Sequence, residues 1–161
     1  MSPDQGRSRR KPGLPRWVYR ALWALHRAGH AISGGRLGLR PAADDRLGIL
    51  RLGTLGRRSG KARASLLSYL PAGEGFAVVA SNAGAPYPPA WALNLQARPE
   101  AIVELPGRSL RVRARVAGPE ERASLWARFV ERVADYERYA EQAEREIPVL
   151  ILEPIAEEAD A

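Results

Sequence analysis

The chain has no cysteine, which excludes disulfides, thiolate metal sites and a cysteine nucleophile, so any redox chemistry must come from a borrowed cofactor. Histidine is nearly absent as well. His26 and His30 are four apart in H-R-A-G-H, without the glutamate of H-E-x-x-H or a third ligand, and no metal site is expected. Neither a G-x-S-x-G elbow, a P-loop nor a Rossmann fingerprint occurs. G-R-R-S-G-K-A does place a glycine before Gly-Lys, but the spacing is too short and alanine follows the lysine. Nucleophilic hydrolysis and ATP chemistry therefore lose their usual carriers. Charges interrupt the first apolar segment, so neither a secretory signal nor a bilayer-spanning helix is expected, and the reading is cytoplasmic.

Acids are scarce at the front of the chain. Residues 1 to 40 hold nine Lys/Arg against one acid, whereas the remainder is near balance with sixteen against seventeen. Residues 1 to 12 read as a disordered basic leader. From Leu14 to about Ser33 the apolar residues Leu14, Val18, Ala21, Leu22, Leu25, Ala28 and Ile32 fall at helical spacing, with Arg16, Arg20, Arg27, Trp17 and Trp23 among them. Such a helix either lies on an anionic membrane surface or packs on its own domain, for instance as a lid. At 161 residues and 45% apolar, the chain has room for one domain with a real core. The expected division is a leader and amphipathic helix over 1–40, a folded domain over 41–155 and an acidic tail over 156–161.

Within the domain, Leu47 to Thr54, Ala64 to Leu70, Phe76 to Ser81, Ala101 to Leu105, Ser109 to Val116 and Ile147 to Glu153 read as strands. The fifth alternates, with Leu110, Val112, Ala114 and Val116 inward and Arg111, Arg113 and Arg115 on a solvated face. No aromatics interleave those arginines for base stacking, and no nucleic-acid partner is expected. N-A-G-A-P-Y-P-P, from Asn82, is a rigid loop because its prolines lack ladder donors. Ala90 to Ala97 then forms a short helix with Trp91 as core and Asn94 as a cap or bridge. Gly118-Pro119-Glu120-Glu121 starts a helix continued by Leu125, Trp126, Phe129, Val130 and Val133, and a second helical piece carries Tyr136 and Tyr139 on one face. Six strands joined mostly by short turns, with no alternating strand-helix series, favour an antiparallel barrel of mainly β, α+β class.

The chemistry concentrates in Gly56 to Arg63, G-R-R-S-G-K-A-R. Two glycines permit a tight turn with outward N–H groups, and Arg57, Arg58, Lys61 and Arg63 surround it, with the Ser59 hydroxyl added. The turn is either an anion cradle for phosphate or carboxylate or a hairpin with solvated charges.

Several motifs, in order, resemble the deazaflavin (coenzyme F420)-dependent nitroreductase and quinone reductase family: G-R-R-S-G-K-A-R, V-V-A-S-N-A-G-A-P, P-A-W-A-L-N-L-Q-A-R-P, Y-E-R-Y and R-E-I-P-V-L-I-L-E-P. The resemblance runs from about Leu47 to Pro154. It implies a split β-barrel that binds reduced 8-hydroxy-5-deazaflavin and passes a hydride to a quinone, nitroaromatic or similar acceptor, as a monomer or homodimer. It implies that Arg57, Arg58, Ser59, Arg63, Ala64 and Ser65 hold the cofactor's phosphate and acidic tail. Val79, Ala80, Ser81 and Asn82, with Ala90, Trp91 and Asn94, would line its ring and linker. Ser81, Tyr136 and Tyr139 match the family's acceptor pocket. The departures are Arg58 for lysine, Ala62 for proline, Ser68 for an aromatic, Ala92 for tyrosine and Val133 for a further pocket tyrosine. They are compatible with cofactor binding and put the acceptor specificity in question. The rivals are the same barrel using flavin mononucleotide (FMN), or a non-catalytic module that binds cofactor or nucleic acid.

Overall fold

The computed structural model describes residues 38–156. The readings made for the leader, the basic helix, both histidines and nearly all of the acidic tail lie outside the described residues. Six strands, β1 (Gly48–Leu55), β2 (Ala62–Ala72), β3 (Gly75–Val79), β4 (Glu100–Leu105), β5 (Arg108–Val116) and β6 (Val149–Pro154), close into a barrel in the order β1-β2-β3-β6-β5-β4. Every neighbouring pair is antiparallel. Among the described residues three helices accompany them: α1 (Ala90–Ala97), α2 (Pro119–Arg132) and α3 (Asp135–Ala143). The α+β barrel expected from the strand pattern is the fold found.

This strand order makes the two ends of the barrel unlike. Because neighbours are antiparallel all the way round, β1, β3 and β5 finish at the same end at which β2, β4 and β6 begin. At the opposite end the strands are joined by two tight hairpin turns, with Gly73 and Gly107 at positive φ. All the long connections, and with them the basic turn, the proline loop, α1, α2 and α3, leave from one rim.

Two apolar clusters follow from the period-2 alternation of the strands. Leu50, Leu52, Tyr69, Phe76, Val78, Val103, Val112, Leu150 and Leu152 fill the interior, and Trp91, Ala92 and Leu95 of α1 join them as a plug. Leu70, Ala77, Val79, Val149 and Ile151 point outward and are covered by Leu125 and Phe129 of α2 and Tyr136 and Ala143 of α3. Phe129 is fully buried, and truncating such a residue to alanine costs about 3–5 kcal/mol.

Three expectations are corrected. Val116 does not point into the core: it is the last residue of β5, at the rim, and is 59% exposed. Val133 does not continue the apolar face of α2, because the helix ends at Arg132 and Val133 is extended (φ −143) and exposed. The arginines of β5 are not simply solvated. Arg113 meets Glu100 at 2.6 Å with Arg111 beside it, while Arg115 meets Glu121 and Glu153, each at 2.7 Å. The hydrogen bonds from Arg115 hold the Glu121 carboxyl below its usual pKa. The Arg115 pairs lie in solvent and contribute little to stability, whereas Glu100 is mostly buried beside its two arginines.

Candidate cofactor-binding site

The basic turn is built by short local bonds. Gly56 N–H donates to the Lys61 carbonyl at 2.8 Å, Gly60 N–H to the Gly56 carbonyl at 2.8 Å, and Lys61 N–H to Ser59 Oγ at 3.2 Å. Gly60 takes φ +67, the left-handed region that favours glycine, and a Cβ on Gly56 would come within 2.6 Å of Ser59 Oγ and displace that hydroxyl. Asn94, buried on α1, locks the turn from behind. Its Oδ1 accepts Arg57 N–H at 3.0 Å and Arg57 Nη1 at 3.4 Å, and its Nδ2 donates to Thr54 Oγ1 at 3.2 Å. From below, Arg98 reaches the Gly56 carbonyl at 3.4 Å.

A cleft of about 420 Å³ opens between this turn, the start of β2 and α1, lined by Thr54, Gly56, Arg57, Arg58, Ser59, Arg63, Ala64, Ser65, Ala90, Trp91 and Asn94. The structure thus brings nine residues of the sequence-derived cofactor set into one cavity. Its lining contains three arginines and no acid. Among the described residues Arg57, Arg58, Lys61 and Arg63 have no carboxylate partner, in contrast to the matched arginines of β5. Uncompensated cations, two serine hydroxyls and a tryptophan suit a ligand that combines an anionic part with a flat ring.

A larger surface cavity, about 580 Å³, lies by the β2–β3 hairpin, but there Arg115 is already engaged with Glu121 and Glu153. The described residues include no group of three His, Asp or Glu arranged to hold a metal.

Val79, Ala80, Ser81 and Asn82 do not line the cleft. They lie on the same rim, where β3 runs into a 3-10 turn over Asn82–Gly84. Asn82, Ala83 and Gly84 all have positive φ, and Asn82 Nδ2 donates to the Tyr87 carbonyl at 3.2 Å. Ser81 is half-buried, and its hydroxyl makes no hydrogen bond among the described residues. Tyr136 is 9% exposed, its ring edge-on to Trp126, Phe129 and Tyr139. Desolvation pushes its pKa up, with a hydrogen bond to Ser68 pulling the other way. Tyr139 is half-buried, with Arg138 over its ring. Sequence reasoning missed Arg145, which donates to carbonyls of this same loop.

The fold and cleft define a barrel protein with a cationic cleft at one rim, and comparison with known proteins supplies the family. The family model for F420H(2)-dependent quinone reductase matches residues 25–154, and the chain belongs to that family. An F420H(2)-dependent quinone reductase of Mycobacterium tuberculosis strain H37Rv is 32% identical over 147 residues, covering 86% of this chain and 97% of the relative. Among solved structures, an F420-H2 dependent reductase (FDR-A) matches with TM-score 0.60 and 32% identity over 72% of this chain and 100% of its own. Another, described as a domain-swapped dimer, matches with TM-score 0.61 and 29% identity over 83% of this chain and 99% of its own. The protein is a deazaflavin-dependent oxidoreductase with coenzyme F420 as its cofactor, and the FMN alternative gains no comparable support.

Proposed function

We propose that the chain reduces a quinone with the deazaflavin held in the Arg57–Asn94 cleft, and that the convergence of uncompensated arginines on that cleft is the observation that carries the reading. Arg57, Arg58 and Arg63, with Ser59, Ala64 and Ser65, hold the phosphate and acidic tail of the cofactor. Trp91, Ala90 and Asn94 border the linker, and residues 79–82 flank the ring. When bound, the reduced cofactor supplies a hydride, and a proton completes the hydroquinone.

The protein's own part is orientation and electrostatics. Ser81 has a hydroxyl at the rim without a partner among the described residues and Tyr139 is half-buried, so these two hydrogen-bond the acceptor oxygen as charge grows there. Tyr136 packs behind them with its hydroxyl toward Ser68. A nitroaromatic could be oriented by the same hydroxyls.

Titration of the full chain with oxidised F420 and with a deazaflavin lacking phosphate and tail tests the site, with tighter binding of the full cofactor expected. Equal affinity for both would remove the anionic tail from the cleft. The proposal extends to location and assembly. The reaction is cytoplasmic, and residues 14–33, outside the described residues, bring the enzyme to anionic membrane, as their apolar stripe and basic charge suggest. Cosedimentation with vesicles of rising anionic lipid content should increase at low salt, and indifference to lipid would sink the membrane reading. The domain-swapped relative favours a homodimer over a monomer, which sedimentation velocity decides.

A further inference from the structure

We infer that Arg145 is a positioning residue for the ring end of the site, holding the Ser81 loop in the one conformation that presents it to cofactor and acceptor. Its guanidinium gathers four backbone carbonyls of the loop that follows β3: Nη2 donates to Ala80 at 3.0 Å, Tyr87 at 3.3 Å and Ser81 at 3.4 Å, and Nε to Ala85 at 3.2 Å. These bonds span 58 to 65 residues of sequence.

The loop's composition creates the need. Pro86, Pro88 and Pro89 have no N–H, so the segment carries more carbonyl acceptors than it can satisfy from its own backbone. Arginine has the complementary inventory, five donors in a planar fork and no acceptor. Arg145 has no carboxylate partner among the described residues, so the loop carbonyls are its counterpart. The loop backbone is also an uncommon one, with Asn82 at φ +46, Ala83 at φ +52 and Gly84 at φ +83 in succession. Non-glycine residues persist in that region only where their surroundings over-determine them.

The other side of the clamp is equally specified. Glu144 adopts a left-handed C-cap (φ 52) that ends α3 and redirects the chain before β6. The Ala80 N–H donates to the Pro148 carbonyl at 3.1 Å, continuing the β3–β6 pairing beside the clamp. α3 meets the loop at Gly84, where a Cβ would lie 3.2 Å from Tyr139 Cα. Arg145 therefore ties the helix that carries Tyr139 to the loop that carries Ser81, and sets the distance between the two hydroxyls assigned to the acceptor. Its contacts are to carbonyls, and it acts through them.

This inference rests on the proposed acceptor role of Ser81 and Tyr139, and its test separates the two. Arg145→Lys keeps the charge but not the fork, and Arg145→Ala removes both. With the full chain and F420, the expected result is near-normal cofactor affinity, since the tail cleft lies at the basic turn. A roughly ten- to hundredfold loss in kcat/KM for a water-soluble quinone should accompany it, the scale that a misplacement of about 1 Å in an orienting group produces. Guanidinium ion at low millimolar concentration should partly restore Arg145→Ala. In cofactor-free protein, amide exchange over residues 80–87 should quicken in both variants while the β1–β2 ladder stays protected. A lowered melting temperature with unchanged exchange in the loop and unchanged kcat/KM per folded molecule would overturn the inference. If Arg145→Ala does not fold, Arg145→Lys decides alone on the same readouts. Loss of the Ser81→Ala effect on kcat/KM in otherwise wild-type protein would instead count against the acceptor assignment.

Discussion

Asn94 holds Arg57: the buried amide oxygen accepts the Arg57 backbone N–H at 3.0 Å across 37 residues of sequence, while the amide nitrogen is committed to Thr54. The turn that presents the cations is thus fastened to the helix that plugs the barrel. Asn94→Ala leaves the Arg57 N–H and the Thr54 hydroxyl without their partner, at a cost of about 1–3 kcal/mol. Asn94→Asp makes the sharper test. A carboxylate still accepts from Arg57, and the Thr54 hydroxyl can rotate to donate, so the melting temperature should change less than in Asn94→Ala. The added negative charge lines the cleft, and F420 affinity should fall about tenfold or more, equivalent to ~1.4 kcal/mol. Calorimetry and titration on the same preparations compare the two variants, and undiminished affinity in Asn94→Asp would argue that no anion sits there.

The cleft arginines should act together. Changing Arg57, Arg58 and Arg63 to alanine removes charge-assisted bonds of about 1.5–3 kcal/mol each at full strength. Arg58 and Arg63 are exposed, so solvent screening holds the total nearer ~2 kcal/mol, roughly thirtyfold in Kd. The wild-type affinity should weaken as salt rises, and the triple variant, which keeps Lys61, should show a shallower salt dependence. A folded triple variant with wild-type affinity and salt dependence would move the tail elsewhere.

Much of the barrel is legible in the sequence, because half-buried strands alternate and hairpin turns announce themselves with glycine. β5 shows the limit of that reading. Alternation correctly places Val112 inside, but cannot tell that Val116 has reached the rim, where an inward-facing position has nothing to bury against. The cleft is legible for a different reason: its residues fall in two compact motifs, and the motif order resembles a family. Asn94 as a bridge follows from a polar residue three positions from Trp91, on the same helical face. Arg145 does not follow from local pattern, since it looks like one more exposed charge at a helix end. The one signal that could reveal it is negative, the missing N–H groups of Pro86, Pro88 and Pro89, which require donors from outside the loop.

Close packing at Gly84 gives a stability prediction with an internal control. Alanine there would have to accept φ +83, costing about 1–2 kcal/mol, and its Cβ would press on Gln142 Oε1 at 2.8 Å and Tyr139 Cα at 3.2 Å. The glutamine tip can swing away, whereas the helix backbone cannot. Gly73 has φ +57 with nothing near its Cβ position, so Gly73→Ala meets the backbone cost alone. Chemical denaturation should show Gly84→Ala to be the more destabilising of the two. Equal losses would mean that α3 yields to the loop without cost.

Tyr136 separates a packing role from a catalytic one through its pH dependence. Burial disfavours the phenolate, so the folded-state pKa is raised above the unfolded value, although the hydrogen bond with Ser68 offsets part of that rise. A raised pKa means that the folded state holds its proton longer than the unfolded state. The stabilisation is therefore complete below about pH 10, the ordinary tyrosine value, and is lost as pH climbs through the folded-state pKa. Tyr136→Phe cannot ionise, so its alkaline loss of stability should be shallower than that of the wild type above about pH 10, while near neutrality the variant should stay close to wild type. Denaturant midpoints measured from pH 7 to 11 give both quantities. Because Tyr136 is buried with its ring packed against Trp126, Phe129 and Tyr139, turnover per folded molecule should change little in Tyr136→Phe. Tyr139→Phe should lower kcat/KM for quinone with F420 affinity preserved. The opposite ranking, with kcat/KM falling in Tyr136→Phe and unchanged in Tyr139→Phe, would transfer the acceptor contact to Tyr136 and require its phenol to leave Ser68 when substrate binds.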